Sequence, residues 1–480
     1  MTDDTRPSPG DSPVLHAFDA SDALGDLDAT AVAAAIATGR ISAGEALEAA
    51  LARLDRVEPV LRGIVHDDRA RARARAGGLP PGPFTGVPAV IKNNTQFAGL
   101  PTQHGSAAVP ATPARRSEPF TAQFLSTGVN LLGTSSLPAF GLTASTEFVD
   151  REPTRNPWNP AYSAGASSGG SAALVAAGVV PIAHGNDGGG SIRIPAAACG
   201  LVGLKPTRGR VAPAHEMDGA PVDIVSNGVL TRTVRDTAAF LAAAERFRPV
   251  ARLPRVGLVE GPAARRLRVG LIDGTLTGEP LDADSRSALE AAAGMLAGLG
   301  HDVVPLPIPV GASFERDFVE YWRMLAFSID VGGRFVVDPG FDRRRLDPFT
   351  RGLSRAFSRT AWRAAGAVRG LRHSTVAYRA VFDRLDLVMS PTLGHATPPI
   401  GWLDPGVEFE EAFARLRRYV AFTPWNNASG GPAVSLPLGR SSAGLPLGIH
   451  FSADIGDERT LLELAFELEA AAPFARIQAA

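Results

Sequence analysis

The chain has 480 residues, of which 45% are hydrophobic and 20% charged, and its formal net charge is −1. That is ordinary globular composition with room for a sizeable core, and the near-zero charge excludes a global field drawing the protein to nucleic acid or a membrane surface. A single cysteine, Cys199, excludes an intrachain disulfide, and no run of about 18 uninterrupted apolar residues is present to span a bilayer.

The N-terminal residues carry neither a basic stretch nor an apolar core of the signal-peptide kind. The expectation is therefore a cytoplasmic protein. Residues 1–25, rich in Pro, Asp, Ser and Gly, read as a disordered or loosely attached tail, with one large domain over 26–475. Helices are expected to begin near Asp28. Ser42-Ala43-Gly44-Glu45 spells a capping box for a helix with Leu47, Leu51 and Leu54 on one face. Arg69–Arg75 alternates Arg with Ala and reads as a solvated helix face rather than a nucleic-acid contact.

From about 80 to 210 the composition shifts to Gly, Ser and Ala. Val87–Ile91 predicts a buried strand running into Lys92, Ala172–Ala177 a small-residue helix, and Val179–Ala183 a strand. Further strands are predicted at Val269–Ile272, Val303–Val304, Leu387–Met389 and Val434–Leu436, with a helix at about Ser285–Leu299. Residues 310–370, richer in Phe, Arg and Trp, predict a peripheral helical region suited to forming substrate walls. This alternation predicts an α/β fold: a single large domain with a central twisted mixed β-sheet flanked by α-helices.

Of the 48 basic side chains, only Lys92 and Lys205 are lysines; the other 46 are arginines. A GC-rich genome explains most of that bias, yet it spares two positions. A site whose cation must lose its proton cannot accept arginine, which stays protonated in proteins.

Two glycine-rich stretches interrupt the apolar pattern: Gly165-Ala166-Ser167-Ser168-Gly169 and Gly185-Asn186-Asp187-Gly188-Gly189-Gly190-Ser191-Ile192-Arg193. Neither has the lysine of a phosphate-binding loop or the spacing of a dinucleotide fingerprint. The first matches G-x-S-x-G, and His373, His395 and His450 could serve a nucleophile elbow, but no apolar strand precedes Ser167. In the second, glycines before Ser191 could aim several backbone N–H groups into one concavity, as an oxyanion hole requires. A serine there without an evident His–Asp pair would need another base, and lysine is a known variant. The histidines form no metal-spaced motif, so no metal and no other cofactor is expected.

These residues resemble the amidase-signature hydrolases. Ser167-Ser168-Gly169-Gly170-Ser171 matches that family's Ser-Ser-Gly-Gly-Ser core, and Gly189–Ala196 with Cys199-Gly200 and Gly203–Thr207 matches its second half. Gly86-Val87-Pro88 before Ile91-Lys92 is similar to its lysine-bearing strand, and Asn156–Pro160 also fits. Within the family, Ala183–Asp187 and Asn427–Gly430 are similar to bacterial amidases of the 6-aminohexanoate cyclic-dimer hydrolase type.

The resemblance implies hydrolysis of linear or cyclic amides through an acyl-serine. It assigns Lys92 as base, Ser167 as bridging serine and Ser191 as nucleophile, with an oxyanion hole from the backbone N–H groups of Gly188, Gly189, Gly190 and Ser191. It implies a cis peptide at Ala166–Ser167, a small-molecule amide as partner, and a homodimer. It leaves two other readings: a glutaminase subunit of a tRNA-dependent amidotransferase, and an inactive binding protein on the same scaffold. Asn93, Ala139 and Ala166 depart from the family pattern, which more often has Asp, an acidic residue and Gly there. Lys205, Asp187 and Arg193 are expected to be structural, and Cys199 a packed thiol.

Overall fold

The computed structural model describes residues 14–479. In chain order the strands are β1 (Ile64–Asp67), β2 (Pro88–Lys92), β3 (Asn130–Ser135), β4 (Arg155–Asn156) and β5 (Asn159–Ser163). Next come β6 (Ile182–Asp187), β7 (Val202–Lys205), β8 (Ser226–Thr231) and β9 (Arg268–Leu271). The last four are β10 (Asp302–Pro305), β11 (Leu387–Pro391), β12 (Ala433–Arg440) and β13 (Pro446–Ala453). Eleven of them form one sheet in the order β1-β3-β2-β6-β8-β7-β12-β13-β11-β9-β10, while β4 and β5 pair as a separate hairpin. β2 runs parallel to both β3 and β6, and β9 parallel to β10 and β11; the other pairs are antiparallel. This is the single α/β domain with a mixed sheet that the alternating pattern predicts.

Local chemistry sets the helix starts. Asp28 caps Ala29–Ala37 by accepting from the Ala31 N–H at 3.0 Å. Ser42 and Glu45 close the capping box of Ala43–Leu61, worth about 1 kcal/mol. Its Leu47, Leu51 and Leu54 are all buried in the core. The arginines of Arg69–Arg75 each pair with a carboxylate: Arg69 with Asp55 and Asp67, Arg71 and Arg75 with Asp68, and Arg73 with Glu48.

Three expectations need correction. The loose tail over 1–25 does not hold for 14–25. There the Leu15 and Ala17 N–H groups donate to Pro157 and Ala177 carbonyls at 2.8 Å, Ala17 and Leu24 are buried, and Asp22 pairs with Arg53. Residues 1–13 lie outside the described part. At the other end, the body runs past 475, because Ile477 packs with Trp158 and Leu445. The strand expected at Val179–Ala183 begins later, at Ile182: Gly178 takes a positive φ of 80° after the helix Gly169–Ala176, and the chain turns before pairing resumes.

Residues 310–370 are helical as expected, forming Ala312–Val336, Pro348–Thr360 and the start of Ala364–Val381.

Candidate active site

Topology brings the two glycine-rich loops and the first lysine together. Lys92 is the last residue of β2, and the adjacent parallel strand β6 ends at Asp187. Both strands therefore end on the carboxyl side of the sheet, where open α/β sheets carry their sites. The loop after β6 is Gly188–Ser191. Ser167 lies two residues before the helix Gly169–Ala176, whose Ser171 hydroxyl donates to the His184 carbonyl of β6 at 2.6 Å. The Ser168 N–H donates to the Ser191 carbonyl at 3.2 Å, stitching the serine loops to each other. The peptide Ala166–Ser167 is cis.

Lys92 is completely buried. Its Nζ donates to Ser167 Oγ at 2.7 Å and to Asn186 Oδ1 at 2.5 Å. Desolvation pushes its pKa down to about 7, opposed by the carboxylates of Glu216 and Asp187. Burial thus favours the neutral amine. Ser191 is also buried, and it lines a cavity of about 80 Å³. The walls are mostly apolar: Leu142 and Ile194, Phe318 and Trp322 from helix Ala312–Val336, and Phe413 and Leu416. Phe318 and Trp322 stack at 5.9 Å, and Trp322 Nε1 donates to the Leu142 carbonyl at 3.2 Å.

The loop bearing Ser191 is held by a buried ion pair. Arg193 Nε and Nη2 donate to Asp187 at 2.9 and 2.8 Å, with both side chains fully enclosed. Asp187 also accepts from the Ile192 N–H at 3.1 Å and from Asn427 Nδ2 at 2.8 Å. Arg193 reaches Asn426, Asn427 and His450. Burial raises the Asp187 pKa, but the Arg193 charge and these bonds more than offset it and leave it well below the usual carboxylate range. The structural expectation for Asp187 and Arg193 thus acquires its mechanism: they fix the turn that presents Ser191.

The same network corrects one oxyanion assignment. The Gly190 N–H donates to Asp187 Oδ1 at 2.8 Å, so it is spent inside the loop. Among the described residues, no protein acceptor takes the N–H groups of Gly188, Gly189 or Ser191. Gly190 matters instead for space: its φ is +129°, and a Cβ there would sit 2.4 Å from Thr423 Oγ1. Gly141 is similarly required, because a Cβ at its φ of +68° would lie 2.9 Å from Ser167 Oγ.

The nucleophile-elbow inventory disperses. His373 is exposed on its helix and bonds the Arg369 carbonyl, His395 bonds the Ala396 carbonyl, and His450 faces Arg193. His184 accepts from the Lys92 backbone N–H at 3.2 Å, and burial lowers its pKa to about 3. Cys199 is buried, and desolvation pushes its thiol up. Asn93 explains its own departure from the family pattern: its amide donates to the Pro101 carbonyl and to Thr134 Oγ1, which a carboxylate could not do. Two residues escaped sequence reasoning. Asn186 stood inside a quoted motif without a role, and Glu216 sits in a polar loop with no motif at all. Glu216 accepts from Asn186 Nδ2 at 3.2 Å and Asn94 Nδ2 at 3.0 Å.

The family model "Amidase" matches residues 45–462. The chain belongs to the amidase family. It is 46% identical over 466 residues to "Putative amidase AmiC" of Mycobacterium leprae, covering 97% of this chain and 99% of that protein. It is 35% identical over 479 residues to the 6-aminohexanoate-cyclic-dimer hydrolase of a Pseudomonas species, covering 93% and 95%. The solved structure of a 6-aminohexanoate cyclic dimer hydrolase with its substrate superposes with a TM-score of 0.84 at 32% identity, over 94% of this chain and 98% of that one. This amidase is therefore an amide hydrolase by family. No helix among its described residues is long and apolar enough to cross a membrane.

Proposed function

We propose that this amidase cleaves small carboxylic amides, linear or cyclic, through an acyl-Ser191 intermediate. Ser167 passes protons between Ser191 and Lys92. The observation that carries this reading is the 2.7 Å contact between Lys92 Nζ and Ser167 Oγ, both side chains being buried. A serine hydroxyl is a weak nucleophile and needs a base. Neutral Lys92 takes the Ser167 proton as Ser167 takes that of Ser191, and Ser191 Oγ bonds to the carbonyl carbon. The unengaged N–H groups of Gly188, Gly189 and Ser191 are suited to the oxyanion. Collapse breaks the C–N bond, and the proton returns from Lys92 through Ser167 to the departing amine. Water then adds to the ester by the same route, releasing the acid and free Ser191.

The apolar walls favour an aliphatic or aryl group beside the scissile bond. They disfavour the glutaminase reading, since a zwitterionic glutamine needs charged partners. The charges at the rim, Arg417 and Glu315, already pair at 2.5 Å. The inactive-scaffold reading is disfavoured by the presence of all three reacting side chains. A cytoplasmic setting is supported by the lone buried thiol.

The test is Lys92→Arg, which keeps the charge and forbids neutrality. Turnover should fall by about two to four orders of magnitude. A fluorophosphonate probe should label Ser191 and fail on Ser191→Ala. Wild-type turnover in Lys92→Arg, or labelling at Ser167, refutes the assignment.

A further inference from the structure

Lys92 has a second polar contact that proton transfer alone does not require. Its Nζ donates to Asn186 Oδ1, and Asn186 Nδ2 in turn donates to Glu216 Oε1. The other Glu216 oxygen accepts from Asn94, two residues beyond the lysine. Asn94 and Asn186 are both buried. Glu216 itself is an exposed residue of the surface turn His215–Met217, and its carboxylate oxygens meet these two amides. A carboxylate bridged to a buried amine by one amide is suited to stabilise the amine when it carries a proton.

We propose that Glu216, acting through the Asn186 amide, is a positioning residue that stabilises the proton-bearing form of Lys92 during turnover. This rests on Lys92 being the base. Mid-cycle, Lys92 holds the proton lifted from Ser191 in a cavity that disfavours an ammonium, and it must keep that proton until the amine departs. Without a counter-charge the base would be too weak to draw the proton off Ser191.

The charged groups around this pair are few. Lys92 faces Glu216 and Asp187, the latter already committed to Arg193. Glu216 faces Lys92 from β2, Glu118 from the start of helix Pro119–Leu125, and Asp223 from the loop that follows the turn. His215 and Asp218 on the turn itself bond each other at 2.5 Å. Burial of the carboxylate first, and then Glu118 and Asp223, disfavour the Glu216 charge and push its pKa up to about 7, while Lys92 is its attractive neighbour.

The experiment is the pH profile of kcat/KM for Glu216→Gln and Glu216→Asp, beside Lys92→Arg. Gln keeps the size and loses the charge, so less stabilisation of the ammonium moves the acidic limb to lower pH, by about one unit or more. Turnover on the plateau should drop about tenfold or more, and Glu216→Asp should restore part of both. An unmoved limb, or one moved to higher pH, overturns the proposal. If Lys92→Arg keeps wild-type turnover, the base assignment fails instead, so the two failures are separable. Urea midpoints of Glu216→Gln should match the parent, while probe labelling of Ser191 should slow along with turnover; a folding defect with an unshifted limb counts against the proposal.

Discussion

Asp187→Asn removes the charge that organises the loop bearing Ser191, the nucleophile we propose. The carboxylate accepts five short bonds: from the Gly190 and Ile192 N–H groups, Arg193 Nε and Nη2, and Asn427 Nδ2. An asparagine offers one acceptor oxygen and turns an NH₂ toward Arg193 or the loop amides, so donors face donors. Arg193 is fully buried and keeps its charge, which leaves an uncompensated cation in the core. Breaking a buried pair in this way costs about 3–5 kcal/mol. The loop should also lose its register, and misplacing a nucleophile by about 1 Å costs roughly 10²-fold in rate.

The assay is urea unfolding followed by tryptophan fluorescence, with kcat measured on a chromogenic amide. The pH dependence has a definite sign. The folded pKa of Asp187 is depressed, so its contribution is complete above the unfolded value of about 4 and is lost as pH falls through the folded value. The stability gap between parent and variant should not close between pH 8 and 5 and should shrink only in stronger acid. A cost below about 1 kcal/mol, or a gap that closes between pH 8 and 5, refutes the reasoning.

Gly190→Ala should fold but lose most activity, since its Cβ would meet Thr423 Oγ1 at 2.4 Å and Ile194 Cδ1 at 2.7 Å; probe labelling of Ser191 reads this directly. Trp322→Leu should raise KM for aryl amides by about tenfold while changing a short aliphatic amide little, because the lost surface is apolar; equal losses on both substrates would contradict the wall assignment. Lys205→Met should retain turnover. Burial lowers the folded pKa of Lys205 to about 7, so the unfolded chain binds more protons up to about pH 10 and parent stability rises across that window. The variant should lose part of this rise, and parallel urea midpoints at pH 7 and 9.5 would count against it.

The sheet-and-helix alternation and the serine loops were legible because each rests on short-range rules. The capping box at Ser42, the apolar run into Lys92 and the glycine clusters carry their meaning within a few residues. What escaped depends on long-range pairing. Nothing near Asp187 says that its partners include Asn427, 240 positions away. Gly190 looks the same as Gly188 and Gly189 in sequence, yet its N–H turns inward to Asp187 while theirs do not. Glu216 is one acidic residue in a polar loop, and only the tertiary fold brings it to Asn186. Residues 14–25 looked like a tail because their composition is polar, although a few apolar side chains and Asp22 suffice to dock them.

The two lysines of an arginine-rich chain now have a common physical reason with different uses. Both are fully buried, and burial brings both close to neutrality. Lys205 lies in the field of Arg193 and Arg208, opposed by Asp187 and Glu458, and it donates to the Pro206 carbonyl. An arginine there would be a permanent charge beside two others, whereas a lysine can shed its proton and act as a long, mostly apolar filler. Lys92 sits against a hydroxyl and a carboxylate-backed amide, where gaining and losing the proton is the chemistry we propose. Scarcity of lysine therefore marks positions that need an amine able to become neutral. It does not separate catalysis from packing; the neighbours do. A hydroxyl within hydrogen-bond reach gives the proton somewhere to go, and only Lys92 has one.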